Sequence, residues 1–327
     1  MNFEEFCAYV KVNIRSYLPE EYEQYGIAVG DSVKVNQGTM VGLTMVAPGY
    51  KTNPVQYLNE HYEAYATGVP LYEVMGRIAS TVLEYEMKRE PQMEELAKSL
   101  EDFSEVADRI MLSVVGVSHN KDLLERAPHQ IQGDIAATYR ILVDNTAGIT
   151  ASALITDQIM QRYHLTQPQL HELAVKNTMQ AFPAQLTTLQ GVCTEMKRED
   201  ILEEIKNDPI PMFIITNNQM FHGAAVAFYP DFFENMGLPI EDYYILPSSI
   251  HEFILCPKQI GTLEQANQMV QEVNETFVDP GEILSDYAHE YDPRTKQLVI
   301  GDTLLKQELQ QEEPEQLHDF GMPAYTM

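Results

Sequence analysis

Two serines, a histidine, a glutamate and a cysteine fall within one apolar stretch, Tyr243 to Pro257, which reads YYILPSSIHEFILCP. These residue types can carry out hydrolysis: Ser249 or Cys256 as nucleophile, with His222, His251 or His289 as the base that takes its proton. Glu252 stands beside His251 as a further candidate for acid–base work. The spacing completes no catalytic signature. A metalloprotease helix needs two histidines four residues apart with a glutamate between them, and Leu255 occupies the position of the second histidine. The elements that would hold these groups are extended. Tyr243, Tyr244, Ile245, Ile250, Phe253 and Ile254 are aromatic or β-branched, and the length suits a strand pair in which Pro247 bends or ends the first strand. A second strand from Ser249 to Cys256 puts His251, Phe253 and Leu255 on one face and Glu252, Ile254 and Cys256 on the other. His251 and Glu252 then point apart, and their ordinary role is that of polar groups hydrogen-bonded at a strand end.

Other candidates lie outside this stretch. His-Glu dipeptides begin at His171, His251 and His289. His171, between Leu170 and Leu173, reads as a partly buried helix histidine. His222 precedes the small residues Gly223 to Ala225, a pattern that marks either close backbone approach to a ligand or tight packing. His289 lies near Asp286, Glu290 and Asp292. Imidazole and carboxylates together suit several divalent metals, so His251, His289 and Asp286 are the candidate metal ligands, with a solvated loop as the alternative for the last two. Gly49-Tyr50-Lys51-Thr52 imitates a phosphate loop, yet its tyrosine interrupts the Gly-Lys-Thr needed for backbone approach and lysine contact. The Rossmann glycines and the nucleophile elbow are absent, and no residue is read as cofactor-binding.

The strings LPSSIHEFIL, LHELAVKNT from Leu170 to Thr178 with FPA at Phe182 to Ala184, and EILSDYAHEYD from Glu282 to Asp292 carry a resemblance. They resemble a family of bacterial proteins, common in gut-dwelling Gram-positive anaerobes and known as a domain of unknown function. The resemblance covers nearly the whole chain except about the last twenty residues. It implies a cytoplasmic bacterial protein of this length, and brings with it no activity, cofactor or catalytic residue.

The chain has 327 residues, more than one hydrophobic core usually holds, so one large or two moderate domains are expected. Hydrophobic residues make up 44%, with 18 Tyr and 12 Phe, enough for a packed interior. The 49 acidic against 21 basic side chains give a formal charge of −28, spread along the chain. Such a field repels phosphate backbones and anionic lipid, which argues against direct nucleic-acid binding and favours a basic protein partner or simply a solvated acidic surface. The cysteines Cys7, Cys193 and Cys256 are far apart and odd in number, which excludes a disulfide framework and a zinc finger. The start, MNFEEFCAYVKVNI, lacks the basic leader and apolar run of a signal peptide, and no stretch reaches about eighteen apolar residues. A cytoplasmic protein that does not span a membrane is expected.

Periodicity predicts an α+β fold with mixed or antiparallel sheets covered by helices. Phe3 to Leu18 forms a helical stripe ended by Pro19. Ile27 to Val35 and Met40 to Val46 read as a hairpin turned at Asn36, Gln37 and Gly38. Helices are expected from Pro54 to about Ala66, from Leu71 to about Arg89 and from Met93 to Leu100. Arg109–Val117 and Ile135–Val143 read as strands. Thr150, Ser152 or Thr156 caps a following helix, and Thr166 precedes another running from Pro168 to about Gln180. Leu186–Met196 reads as helix, Pro211–Thr216 and Ala224–Phe228 as strands, and Asp231–Met236 as a short helix stopped by Gly237. Thr262 with Gln265 forms a capping box for a helix to about Phe277. The expected division is an N-terminal α+β domain over 1–130, a C-terminal α+β domain over 131–305 and a flexible acidic tail over 306–327.

Three functional classes follow, in this order. The first is a non-catalytic interaction or accessory protein with an acidic surface. The second is a hydrolase using Cys256 or Ser249 with a nearby histidine. The third is a metal-dependent enzyme using His251 or His289 with neighbouring acids.

Overall fold

The computed structural model describes residues 1–51, 53–87, 97–144, 151–195, 197 and 211–301. The strands pair antiparallel throughout these residues, in three sheets, so the chain is an α+β protein. The N-terminal layer starts with helix α1 (Phe3–Asn13), whose capping box pairs the Asn2 side chain with the Glu5 backbone and the Glu5 side chain with the Asn2 backbone. Strands β1 (Gly26–Lys34) and β2 (Gly38–Val46) form the expected hairpin, and β3 (Val55–Tyr57) adds to the other edge of β2. Helices α2 (Asn59–Ala66) and α3 (Leu71–Met87) cover them. Phe6 and Val10 of α1, Leu43 and Met45 of β2, and Val74, Met75 and Ile78 of α3 share one buried core. Each such side chain contributes about 1.5–3 kcal/mol when taken out of water.

The tip of the hairpin reaches into the rest of the protein. Asn36 has a φ of 56°, a left-handed conformation that asparagine adopts more readily than most residues. Its backbone N–H donates to Asn120 Oδ1 at 2.8 Å, and its Nδ2 donates to the carbonyls of Pro280 at 3.1 Å and Ile283 at 2.8 Å. Asn120 Nδ2 donates back to Asn36 Oδ1 at 2.5 Å. Val33 and Val35 pack beside this latch against buried Val115, Leu123 and Ala136.

In the second sheet β6 (Ile135–Asp144) is central, with β4 (Ile110–Gly116) on one edge and both β5 (Gln130–Gln132) and β7 (Ala151–Leu154) on the other. Helix α4 (Gln167–Ala181) closes the outer edge of β4: Thr178 Oγ1 accepts the Leu112 N–H at 2.8 Å and Asn177 Nδ2 donates to the Ile110 carbonyl at 3.0 Å. These bonds satisfy an edge that would otherwise be open to pairing.

The third sheet has six strands in the order β13 (Gln297–Ile300), β12 (His289–Asp292), β10 (Tyr243–Ser249), β11 (Glu252–Pro257), β9 (Phe213–Asn217), β8 (Ala184–Thr188). On one face Leu246, Cys256 and Ala288 meet Ala266 and Val270 of helix α5 (Leu263–Thr276), which starts at the Thr262–Gln265 capping box. On the other, Ile245, Phe253 and Leu255 enter the largest core together with Tyr139, Ile141, Leu170 and a fully buried 3₁₀ segment, Gly223–Phe228. The alternation expected for Phe253 and Leu255 against Ile254 and Cys256 is therefore present.

Several elements depart from the sequence expectation. Ala224–Phe228 is not a strand. Strand β9 already pairs with β11 on one side and β8 on the other, so no edge is left for it, and the segment satisfies its backbone by tight local turns. The helix after Pro54 starts only at Asn59, because Val55–Tyr57 completes the first sheet. Leu186–Thr188 belongs to β8, with helix only over Leu189–Glu195; the β-branched Thr187 and Thr188 suit the strand. Residues 151–154 are strand, and Thr156 alone of the three cap candidates caps Asp157–Arg162. Pro247 bends β10 without ending it: it pairs with Phe253, and a bulge follows before Ser249. The second strand of that pair begins at Glu252, leaving His251 in the turn. The first half of the Met93–Leu100 helix and the tail over 306–327 lie outside the described residues, and residues 97–99 are helical as expected.

Candidate functional site

A cleft of about 230 Å³ opens where the second sheet, the C-terminal end of α4 and the loop after β9 meet. Its walls include Arg140 and Leu142 of β6, Ser152 of β7, Phe182 after α4, and Phe221 and His222 of the loop.

That loop, Asn218 to His222, is wound around one side chain. Asn217, buried at the end of β9, accepts the Gln219 N–H on Oδ1 at 2.9 Å and donates Nδ2 to the Phe221 carbonyl at 2.9 Å. Met220 and His222, on either side of Phe221, both have left-handed backbones, with φ of 52° and 51°. Such conformations cost roughly 1–2 kcal/mol each for residues with a Cβ. His251 holds the far end: its Nδ1 accepts the His222 backbone N–H at 3.0 Å. Phe221, 44% exposed, packs against the rings of His222 and His251, with centroids at 4.2 and 5.1 Å.

Nδ1 of His251 is an acceptor, so the proton of the neutral ring lies on Nε2, which faces Glu282 Oε1 at 3.3 Å. Nδ1 is thus engaged in holding the loop and Nε2 in the contact with Glu282. Ser249 Oγ accepts the His251 N–H at 3.0 Å and donates to Glu252 Oε1 at 3.2 Å, so its proton points to a carboxylate and to no imidazole. His222 is different. Burial, followed by the nearby His251 and Arg140, pushes its pKa down to about 4, so the ring is neutral at physiological pH. Its Nδ1 is buried and has no hydrogen-bond partner among the described residues.

Arg140 is the other polar wall. On β6 it pairs with Met111 of β4 and Leu154 of β7, which fixes its side chain on the face opposite Tyr139 and Ile141. Its Nε donates to Ser152 Oγ at 2.8 Å and its Nη2 to the Ser152 carbonyl at 3.4 Å. Burial lowers its pKa, yet a guanidinium remains cationic. Among the described residues no carboxylate forms an ion pair with it.

The remaining sequence candidates have other neighbours. Cys256 is buried beneath α5, and desolvation pushes its thiol up to about 11, far from a thiolate at neutral pH. His289, fully buried on β12, places Nε2 2.8 Å from Asp134 Oδ1; Ser285 Oγ donates to Asp134 Oδ2 at 2.7 Å. Gly133, at φ 62°, lies so close that a Cβ there would stand 2.8 Å from the His289 ring. This network ties the β5–β6 turn to the third sheet. Asp286 accepts from Asn274 Nδ2 at 2.9 Å. Among the described residues no group of three or more His, Cys, Asp or Glu side chains is arranged to hold a metal ion. His222 and His251 are brought together, with Ser249 and Glu252 behind them, whereas His289, Asp286 and Cys256 serve separate parts of the fold. Sequence reading overlooked Arg140 and Asn217. The signal for the first was a single charge inside the otherwise apolar strand IAATYRILV.

Among the described residues no helix is long and apolar enough to cross a membrane. Residues 3–293 match the model of a family of unknown function, DUF5688. No curated protein and no solved structure matches the chain.

Proposed function

The chain belongs to the DUF5688 family, and we propose that it is a non-catalytic binding protein that holds a small molecule in the cleft between β6, α4 and the loop after β9. The observation that carries this reading is the pairing, on the walls of one partly apolar cavity, of a guanidinium with no carboxylate partner and a neutral imidazole whose buried Nδ1 has no hydrogen-bond partner, both among the described residues. Buried polar groups are normally satisfied, and a ligand is one way to satisfy these. The strained loop that presents Phe221 supports the same reading, because such strain concentrates at ligand clamps.

The test is native mass spectrometry of protein purified without chelator, followed by thermal unfolding against a small-molecule library, on wild type and on Leu142→Trp, which fills the cleft. A bound or added compound that raises the melting temperature of wild type and not of the filled variant is the expected result. A clean apo mass with no stabilising compound would refute the reading.

The net charge of −28 supports a second role for the outer surface, attraction of a basic protein partner with an affinity that weakens in salt. The three unpaired, buried thiols fit a reducing, cytoplasmic setting. A hydrolase centred on Ser249 or Cys256 has weaker support, since among the described residues neither is hydrogen-bonded to an imidazole side chain. A metal-dependent enzyme at His251 or His289 would need ligands beyond Glu282 and Asp134.

A further inference from the structure

The guanidinium of Arg140 presents two edges. Ser152 takes one, through Nε and Nη2, and among the described residues the edge formed by Nη1 and Nη2 has no carboxylate partner and can face a planar anion. Around it the cleft is lined mainly by carbon: Met111, Leu142, Phe182 and Phe221. A volume of about 230 Å³ corresponds to roughly eight waters at ~30 Å³ each, the size of a compact organic molecule. One positive charge, one neutral imidazole and apolar walls suit a ligand with a single negative charge. The −28 field of the whole chain disfavours multiply charged phosphates further.

We propose that the cleft takes a small monocarboxylate with an apolar or aromatic body, its carboxylate clasped by the free edge of Arg140 and its body laid against Leu142, Phe182 and Phe221. The inference rests on the cleft-binding reading and names the ligand class for it. His222, neutral beside the guanidinium, can give its remaining ring proton to a carboxylate oxygen without adding charge. Ser113 and Gln219 line the same cleft and offer further polar contacts.

The test is isothermal titration of the full chain with aryl- and alkyl-carboxylates such as 3-phenylpropanoate and 4-methylpentanoate, each paired with its matching primary alcohol, and with inorganic phosphate. Wild type is expected to bind the acids about ten- to a hundredfold tighter than the alcohols, the margin of one charge-assisted pair. In Arg140→Met that ratio should fall to near one. If this variant fails to fold, Arg140→Lys keeps the charge without the two-pronged edge and should reduce the ratio several-fold. Phe221→Ala, at an exposed position, should weaken acids and alcohols alike. Equal binding of acids and alcohols, both weakened by Phe221→Ala, would overturn the carboxylate assignment while leaving the cleft as a binding site. Phosphate binding more tightly than the acids would overturn it as well. Failure of both series to bind would overturn the cleft reading together with the assignment.

Discussion

Replacement of Gly223 by alanine is the sharpest test of how the loop is held. A Cβ at this position would stand 2.5 Å from the His251 carbonyl oxygen, 2.7 Å from the Asn217 nitrogen and closer still to Thr216 Oγ1. Two of these three atoms are backbone, one at the end of β9 and one in the turn between β10 and β11, so the 3₁₀ segment itself would have to move by about an ångström. That movement stretches the hydrogen bond from the Ala224 N–H to the Ile250 carbonyl, now 3.2 Å, and disturbs the bond from Thr216 Oγ1 to the His251 carbonyl, now 2.8 Å. Overpacking costs about 1–3 kcal/mol and each weakened hydrogen bond about 0.5–1.5 kcal/mol. The loss of glycine's unfolded-state freedom returns about 0.4–1 kcal/mol. The balance is a destabilisation of roughly 1–5 kcal/mol, read as a lower urea midpoint at unchanged slope. Gly30, on β1, has no heavy atom within 4 Å of a built Cβ, and its alanine variant should stay within about 1 kcal/mol of wild type. A Gly223→Ala protein as stable as Gly30→Ala would show that the contact between the 3₁₀ segment and β9 is looser than the geometry states.

Three further outcomes follow from named groups. The folded pKa of His222 lies below its unfolded value of 6.5, so the unfolded chain takes up this proton first. Stability from this group is present above about pH 6.5 and is lost as the pH falls toward about 4. The variant His222→Asn, which tolerates the left-handed backbone, should lack roughly 3 kcal/mol of that acid dependence in urea titrations; parallel pH profiles for the two proteins would contradict the assignment. Cys256 is raised from 9.0 to about 11, so its contribution is complete below pH 9 and fades as the pH rises toward 11. At neutral pH iodoacetamide should label it only on unfolding, and rapid native labelling mapped to Cys256 would refute its burial. Asp134→Ala strips both the fully buried His289 Nε2 and Ser285 Oγ of their shared partner and should cost about 2–4 kcal/mol, against about 1–2 kcal/mol for Ser285→Ala; equal, small effects in urea unfolding would mean the network adds little to stability.

Local chemistry made much of the fold legible. Asn36-Gln37-Gly38 between two β-rich runs marked the first hairpin, and Thr262 with Gln265 marked the start of α5, because turns and caps are decided by residues within a few positions of one another. The errors came where tertiary pairing decides. Ala224–Phe228 has the composition of a buried strand, and only the occupancy of both edges of β9 forbids it. Val55–Tyr57 is extended because β2 offers an edge, which no local pattern around Pro54 announces. Of the candidate site, His222 and His251 were visible as polar groups in apolar surroundings. Their convergence across 29 positions of sequence was not, since it depends on the turn between β10 and β11 meeting the loop after β9. Arg140 was passed over because attention to nucleophiles and bases ignores a cation set alone within a strand.

The Asn36 latch dictates an order of assembly. The N-terminal layer can bury Phe6, Leu43 and Ile78 among residues that leave the ribosome early, but the carbonyls of Pro280 and Ile283 that receive the Asn36 amide lie 244 and 247 residues further along. During synthesis at about 5–20 residues per second, the hairpin tip with Val33 and Val35 waits for roughly ten seconds or more before its last partners exist. A nascent chain stalled before residue 280 lacks the two carbonyls that receive the Asn36 amide, and protection of Asn36 from proteolysis should rise only once the segment through Ile283 has emerged.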